Sequence, residues 1–160
     1  VFGEGYLVCR DSRLNDQSKS SYISHVRLRN IINNIPCKHV FLVIDACFGG
    51  TFDPLIARAG LRGNEQVGEL PKTEFINRKL RFKTRRYLTS GGKVYVPDGR
   101  PGHHSPFARK FLEALRSYGG NDQVVTLFEI VNTVERIDPE PRFGEFGDNE
   151  PGSDFIFEAR

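Results

Sequence analysis

An acid and a thiol stand two residues apart in Asp45-Ala46-Cys47, directly after the apolar run Val40-Phe41-Leu42-Val43-Ile44 and directly before Phe48-Gly49-Gly50. If extended backbone continues past Ile44, alternate side chains share one side of the strand, with Asp45 and Cys47 roughly 6.5 to 7 Å apart along the chain. A carboxylate in a cleft selects a cation, best of all the planar fork of arginine, and a thiolate beside it can attack the neighbouring carbonyl carbon. Ala46 and the two glycines leave room for a substrate backbone, and the Cys47 N–H can donate to a developing oxyanion. The same residues admit a plainer account, in which Cys47 is a buried structural thiol and Asp45 caps the following turn.

A thiol of ordinary acidity is only a few per cent thiolate at neutral pH, so a nucleophile needs a base nearby. The candidates are His25, His39, His103 and His104. His39 opens the strand that leads to Cys47 and lies more than about 20 Å away at ~3.3 Å per residue, so it cannot serve. His25 is expected in a helix before the strand, at the wrong end of the sheet. His103 and His104 precede a helix and could approach the crevice, although polar loop residues beside a cap are the simpler account.

The elements that would position these groups follow from pattern. Val40 to Ile44, with three β-branched residues, predicts a strand over 39–46 covered on both faces, as in a parallel sheet. In such sheets the ligand crevice lies beyond the carboxyl ends of the strands, where Asp45 and Cys47 fall. Upstream, Tyr6-Leu7-Val8 reads as β and Arg10 to Ser21 as loop. Ser20 or Ser21 is expected to cap a helix running to about Asn34, with Ile23, Val26, Ile31 and Ile35 as its apolar stripe. Downstream, residues 51–86 have weak periodicity and read as a surface excursion. Tyr87 to Ser90 and Val94 to Val96 read as short strands, the second closed by Pro97-Asp98-Gly99. Ser105-Pro106 is a helix start with cap and N1 proline, Phe107, Phe111, Leu112 and Leu115 form its apolar face, and Gly119-Gly120 is its expected end. Thr126 and Glu129 form a capping box for a helix burying Leu127, Ile130, Val131 and Val134. Glu140 to Gly152 reads as loop and Asp154 to Phe157 as a last strand.

Composition narrows the class. At 160 residues the chain suits one domain. No apolar run approaches the ~20 residues of a membrane helix and no signal pattern opens the chain, so a cytoplasmic location without membrane contact is expected. Cys9, Cys37 and Cys47 are odd in number and lack C-x-x-C spacing, which argues against a disulfide framework or a zinc site. Net charge is only +3, yet Arg78, Lys79, Arg81, Lys83, Arg85 and Arg86 crowd nine residues. Such runs are more often solvated faces than nucleic-acid surfaces. Glu145, Asp148, Glu150 and Asp154 read as solvated loop acids, not as a metal site.

The motif Asp45-Ala46-Cys47-Phe48-Gly49-Gly50 at the end of a hydrophobic strand resembles the catalytic motif of caspase-like cysteine peptidases, in particular bacterial members and metacaspases. Gly5-Tyr6-Leu7-Val8 is similar to the segment after that family's His-Gly motif, and Leu88-Thr89-Ser90-Gly91-Gly92 to its substrate-side strand. His104-Ser105-Pro106-Phe107-Ala108 and Gly152-Ser153-Asp154-Phe155-Ile156-Phe157 are similar to stretches of bacterial members. The caspase signature itself carries Gln two residues before the Cys and a His about 50 residues upstream. Here Asp45 replaces the Gln, the pattern of relatives that cleave after Arg or Lys, and the expected His-Gly pair falls before Val1.

The resemblance implies an α/β fold: a caspase-like three-layer sandwich with a mostly parallel central sheet, helices on both faces, and its N-terminal strands outside this chain. It divides the chain into 1–50, the end of a large-subunit-like part, 51–86, a basic linker suited to self-cleavage, and 87–160, a small-subunit-like part. The implied activity is endopeptidase cleavage of a polypeptide after Arg or Lys. Cys47 is then the nucleophile, Asp45 the S1 acid, Asp98 a second acid, and Ser90 part of the S1 wall. The base would come from the N-terminal part of the same domain, in some relatives a separate fragment, so this chain alone is expected to be inactive. No cofactor is implied except the calcium that activates some metacaspases, for which no site maps. The competing expectations are an inactive caspase-like interaction module and an unrelated α/β domain with an incidental cysteine.

Overall fold

A computed structural model of the protein describes residues 4–46, 71–92, 95–117 and 122–159. In chain order the elements are β1 (Tyr6–Leu7), β2 (Ile23–Ser24), α1 (His25–Asn33), β3 (His39–Ile44), α2 (Lys72–Leu80), β4 (Thr84–Thr89), α3 (Pro106–Leu115), β5 (Val124–Thr126), α4 (Leu127–Val134), β6 (Arg142–Glu145) and β7 (Ile156–Glu158). Among the described residues the main sheet is three-stranded, ordered β3-β4-β6. β3 and β4 are parallel, from His39 opposite Thr84 to Ile44 opposite Thr89, whereas β4 and β6 are antiparallel. The mostly parallel sheet expected from the sequence is thus a mixed one here, with two further antiparallel pairs, β1-β2 and β5-β7.

The apolar run of β3 explains why both faces are covered. Val40, Leu42 and Ile44 join Tyr87, Phe146 and the α1 residues Leu28 and Ile32 in one cluster. Phe41 and Val43, of opposite parity, join Leu88, Phe107, Ala114, Leu127, Ile130 and Val134 in the other, which α3 and α4 supply. Alternation along the strand therefore assigns α1 to one face and α3 and α4 to the other. Tyr87 packs against Gly144, where a Cβ would come within 2.7 Å of the ring. Only glycine fits at that point of β6.

Several elements depart from their sequence patterns. The α1 cap is Ser24, not Ser20 or Ser21: pairing of Tyr6 and Leu7 with Ser24 and Ile23 holds those two residues extended, and Ser24 Oγ accepts the Arg27 N–H at 3.2 Å. Ser20 and Ser21 instead donate to Asp16 Oδ2, at 3.2 and 2.8 Å. Residues 51–86 are not a continuous excursion, because α2 and the first half of β4 lie within them. Tyr95 to Arg100 is irregular, although Val96 is buried. β6 forms where loop was expected, β5 precedes the α4 cap, β7 begins at Ile156, and α3 ends at Leu115 with Arg116 as its cap, before the glycines. Gly119 and Gly120 lie outside the described residues.

The two charge clusters answer each other. Lys79 pairs with Asp154 at 3.1 Å, Lys83 with Asp148, and Arg86 with Glu145 at 3.5 Å. Arg85 has no exposed side-chain surface; its Nη1 donates to the carbonyls of Lys38 (3.2 Å) and Thr84 (2.9 Å). Its Nη2 faces the carbonyls of Asn33 (3.4 Å), Ile35 (3.4 Å) and Cys37 (2.9 Å). A cation against the last carbonyls of α1 is favourable both as hydrogen bonding and against the helix dipole. Arg85 is opposite Val40, near the start of β3, so the end of α1 lies at the amino end of the sheet and α1 runs antiparallel to β3.

Arg85→Met should lower unfolding free energy by about 3–5 kcal/mol, since it strands buried carbonyls without a donor. Arg85→Lys should recover only part of that loss, because an ammonium lacks the fork. Urea denaturation of each variant measures this, and a loss under about 1 kcal/mol for Arg85→Met contradicts it.

Candidate functional site

β3 ends at Ile44, and the parallel register carries one rung further than the strand itself. The Ser90 N–H donates to the Ile44 carbonyl at 3.0 Å. Ser90 Oγ accepts the Ala46 N–H at 3.1 Å and faces the Ala46 carbonyl at 3.4 Å. Ser90 is fully buried. Its hydroxyl is engaged by the backbone immediately before Cys47. Cys47 itself lies outside the described residues.

Asp45 has the parity of Phe41 and Val43 and so belongs to the face that α3 covers. Its side chain is exposed at the carboxyl end of β3, and its Oδ2 accepts the hydroxyl of Ser105 at 2.5 Å. Ser105 is also the α3 cap, accepting the Ala108 N–H at 2.9 Å, with Pro106 at the first helical position. The acid at the end of the strand is thus tied to the start of the helix.

Beside that helix start lies an open cavity of about 690 Å³, bordered by Asp98, Arg100, His103, His104, Pro106 and Arg109. Asp98 reaches it because Gly99 passes against the backbone of His103 and His104. A Cβ on Gly99 would lie 2.3 Å from the His103 carbonyl oxygen. His104 and Pro106 flank Ser105, so the cavity that Asp98 borders adjoins the helix start to which Asp45 is bonded. Asp45 does not border the cavity, and Asp98 shares it with two arginines and two histidines. The wall of that cavity is of mixed charge.

The histidines divide clearly. His103 and His104 are exposed loop residues at the cavity. His25 is the first residue of α1 and 2 % exposed. Since α1 runs antiparallel to β3, its start points toward the carboxyl ends of the strands, and the expectation that His25 sits at the wrong end of the sheet is corrected. His39 is at the amino end of β3, away from Asp45, as strand length requires. Its Nδ1 lies 3.0 Å from Thr84 Oγ1, and Thr84 gives its proton to the Asp154 carbonyl at 2.8 Å. His39 must therefore donate from Nδ1. Burial of the ring, followed by the charges of Lys38 and Arg85, pushes its pKa down.

Ser105 was legible in the sequence only as a cap; nothing in the residue pattern joins it to an acid 60 positions earlier. Among the described residues there is no group of three or more His, Cys, Asp or Glu side chains able to hold a metal ion, and no helix is long and apolar enough to cross a membrane. Comparison of the chain with family models, with curated proteins and with solved structures finds no match.

Titration behaviour follows from these contacts. A folded-state pKa lowered below the reference of about 6.5 means that His39 stabilises the fold fully above that pH, and that this contribution is lost as pH falls through the lowered value. Hydrogen bonds from Ser18 to Asp16 and from Lys83 to Asp148 hold those carboxyls below the usual range, so their contribution is present above about pH 4 and lost further down. Thermal melting should accordingly weaken in two stages as pH drops from 7 to 3. His39→Gln should remove the upper stage alone; an unchanged profile contradicts the assignment.

Proposed function

We propose that this chain is the thiol-bearing part of a caspase-like cysteine endopeptidase that hydrolyses peptide bonds after Arg or Lys. The observation that carries the reading is Asp45 at the carboxyl end of a strand paired in parallel, two residues before Cys47 in the sequence, with the acid turned to the helix that covers one face. That is where ligand crevices form in sheets of this kind. A second feature supports the fold assignment. β3 is apolar along its length, as strands inside a sheet are, yet among the described residues only β4 pairs with it. A three-layer sandwich whose parallel sheet continues past that edge accounts for both properties, with the added strands coming from the N-terminal part of the same domain or a separate fragment of it.

In this reading a base outside the present sequence, the histidine of a His-Gly pair, takes the Cys47 proton. The thiolate adds to the scissile carbonyl, and the Cys47 N–H donates to the oxyanion. The protonated base then passes its proton to the leaving amine, and water hydrolyses the thioester. Asp45 attracts the cationic side chain of the residue before the scissile bond. Asp98, at the cavity beside the helix start, adds negative potential there, and Ser90 holds the strand end that precedes Cys47. The self-cleavage expected in 51–86 cannot use Arg85 or Arg86, which sit in β4 with little or no exposed side chain. Arg58 and Arg62 are outside the described residues.

The test is hydrolysis of fluorogenic peptides ending in Arg, Lys or Asp by the full-length protein. Arg and Lys peptides should be cleaved and Asp peptides spared. Cys47→Ala should reduce turnover by at least about 10⁴-fold. Asp45→Asn should lower kcat/KM for the cationic peptides by about 100-fold, as loss of a close charge partner does. Cleavage that survives Cys47→Ala overturns the nucleophile, and a folded protein with no such cleavage favours an interaction module instead.

A further inference from the structure

Ser105 uses one oxygen for two purposes, and the anchoring of the elements on either side ranks them. As the α3 cap its Oγ accepts the Ala108 N–H at 2.9 Å, and as a donor it gives its only proton to Asp45 Oδ2 at 2.5 Å. A hydroxyl has one proton and two lone pairs, so accepting in one direction and donating in another fixes its rotamer. The cap is the firmer of the two anchors. Pro106 sets the backbone at the first helical position, and Phe107, 1 % exposed, nails the first turn into the core. Asp45, by contrast, lies beyond the end of β3 with its side chain exposed. The carboxylate therefore takes its direction from the helix, and not the reverse.

We infer that Ser105 is the positioning residue for Asp45, holding its carboxylate in one orientation so that a cationic side chain meets a prepared acceptor. A carboxylate has about four lone-pair sites, so a hydroxyl on one oxygen leaves acceptors for a guanidinium or an ammonium. Fixing the acid in advance removes the ordering that a ligand would otherwise have to impose. The inference rests on the reading of Asp45 as the primary specificity acid, and it adds a residue whose sequence context announces only a cap.

Ser105→Gly separates the two roles, because glycine is tolerated at a cap nearly as well as serine while removing the donor. Ser105→Thr keeps both roles, and Ser105→Ala is a second variant without the donor should the glycine variant melt early. Each substitution is made in the full-length protein carrying Cys47→Ala, and calorimetric titration measures binding of acetyl-arginine amide and of its uncharged isostere, acetyl-citrulline amide. The parent should prefer the arginine ligand. Ser105→Gly and Ser105→Ala should weaken that ligand by up to about tenfold, the cost of ordering one free carboxylate on binding, and leave the citrulline ligand unchanged. Ser105→Thr should bind as the parent does. Undiminished arginine binding by the folded glycine or alanine variant overturns the positioning role and leaves the Asp45 reading standing. A parent without preference for arginine over citrulline overturns both.

Discussion

Burying a guanidinium is tolerable only where its donors end on acceptors, and Arg85 meets that condition with the backbone of three different segments. Asn33 and Ile35 belong to the end of α1 and the turn after it, Cys37 and Lys38 to the approach to β3, and Thr84 to β4. Only Nε lacks a hydrogen bond among the described residues, with an Asp148 oxygen 3.7 Å away. Helix end, inter-element turn and strand start thus meet at one side chain. With the amino ends of β3 and β4 level there, their carboxyl ends are level as well, and Ala46 meets Ser90 at the far end.

The same region shows why charge patterning misleads when it is read locally. The basic run from Arg78 to Arg86 and the acids from Glu145 to Asp154 each look like solvated surface when considered apart. β6 folds back antiparallel on β4, and the loop after it then delivers acids to the bases. These contacts are partly exposed, and individually such ion pairs contribute little; together they seat the loop over the buried guanidinium. Asn149 completes the arrangement by accepting the Arg85 N–H at 2.8 Å.

Legibility in the sequence followed the strength of local signals. The β3 run, the Ser105-Pro106 start and the Thr126/Glu129 capping box each carry a physical cause within a few residues, and each element formed where it was expected. α2 escaped notice because it buries no residue and so shows little apolar stripe. β6 escaped because Arg142-Phe143-Gly144-Glu145 is shaped by its partner: the glycine is there for the Tyr87 ring, and the arginine and glutamate face salt-bridge partners. At the site, Asp45 could be placed at a strand end from periodicity alone, but the tasks of Ser90 and Ser105 depend on tertiary contacts that no spacing encodes. Asp98 borders the cavity beside the α3 start, among cations and imidazoles.

α3 has a consequence as a mechanical link. Phe107 and Phe111 stack with centroids 6.3 Å apart, Phe111 meets Phe41 at 6.4 Å, and Phe41 in turn meets Phe155 at 5.8 Å. The column of rings runs from the first turn of α3 across β3 to the segment before β7. Close-packed interiors transmit displacement instead of absorbing it. The position of Asp45 is therefore gauged against the thickness of the aromatic layer, and the volume of a side chain at Phe41 or Phe155 becomes a dimension of the site.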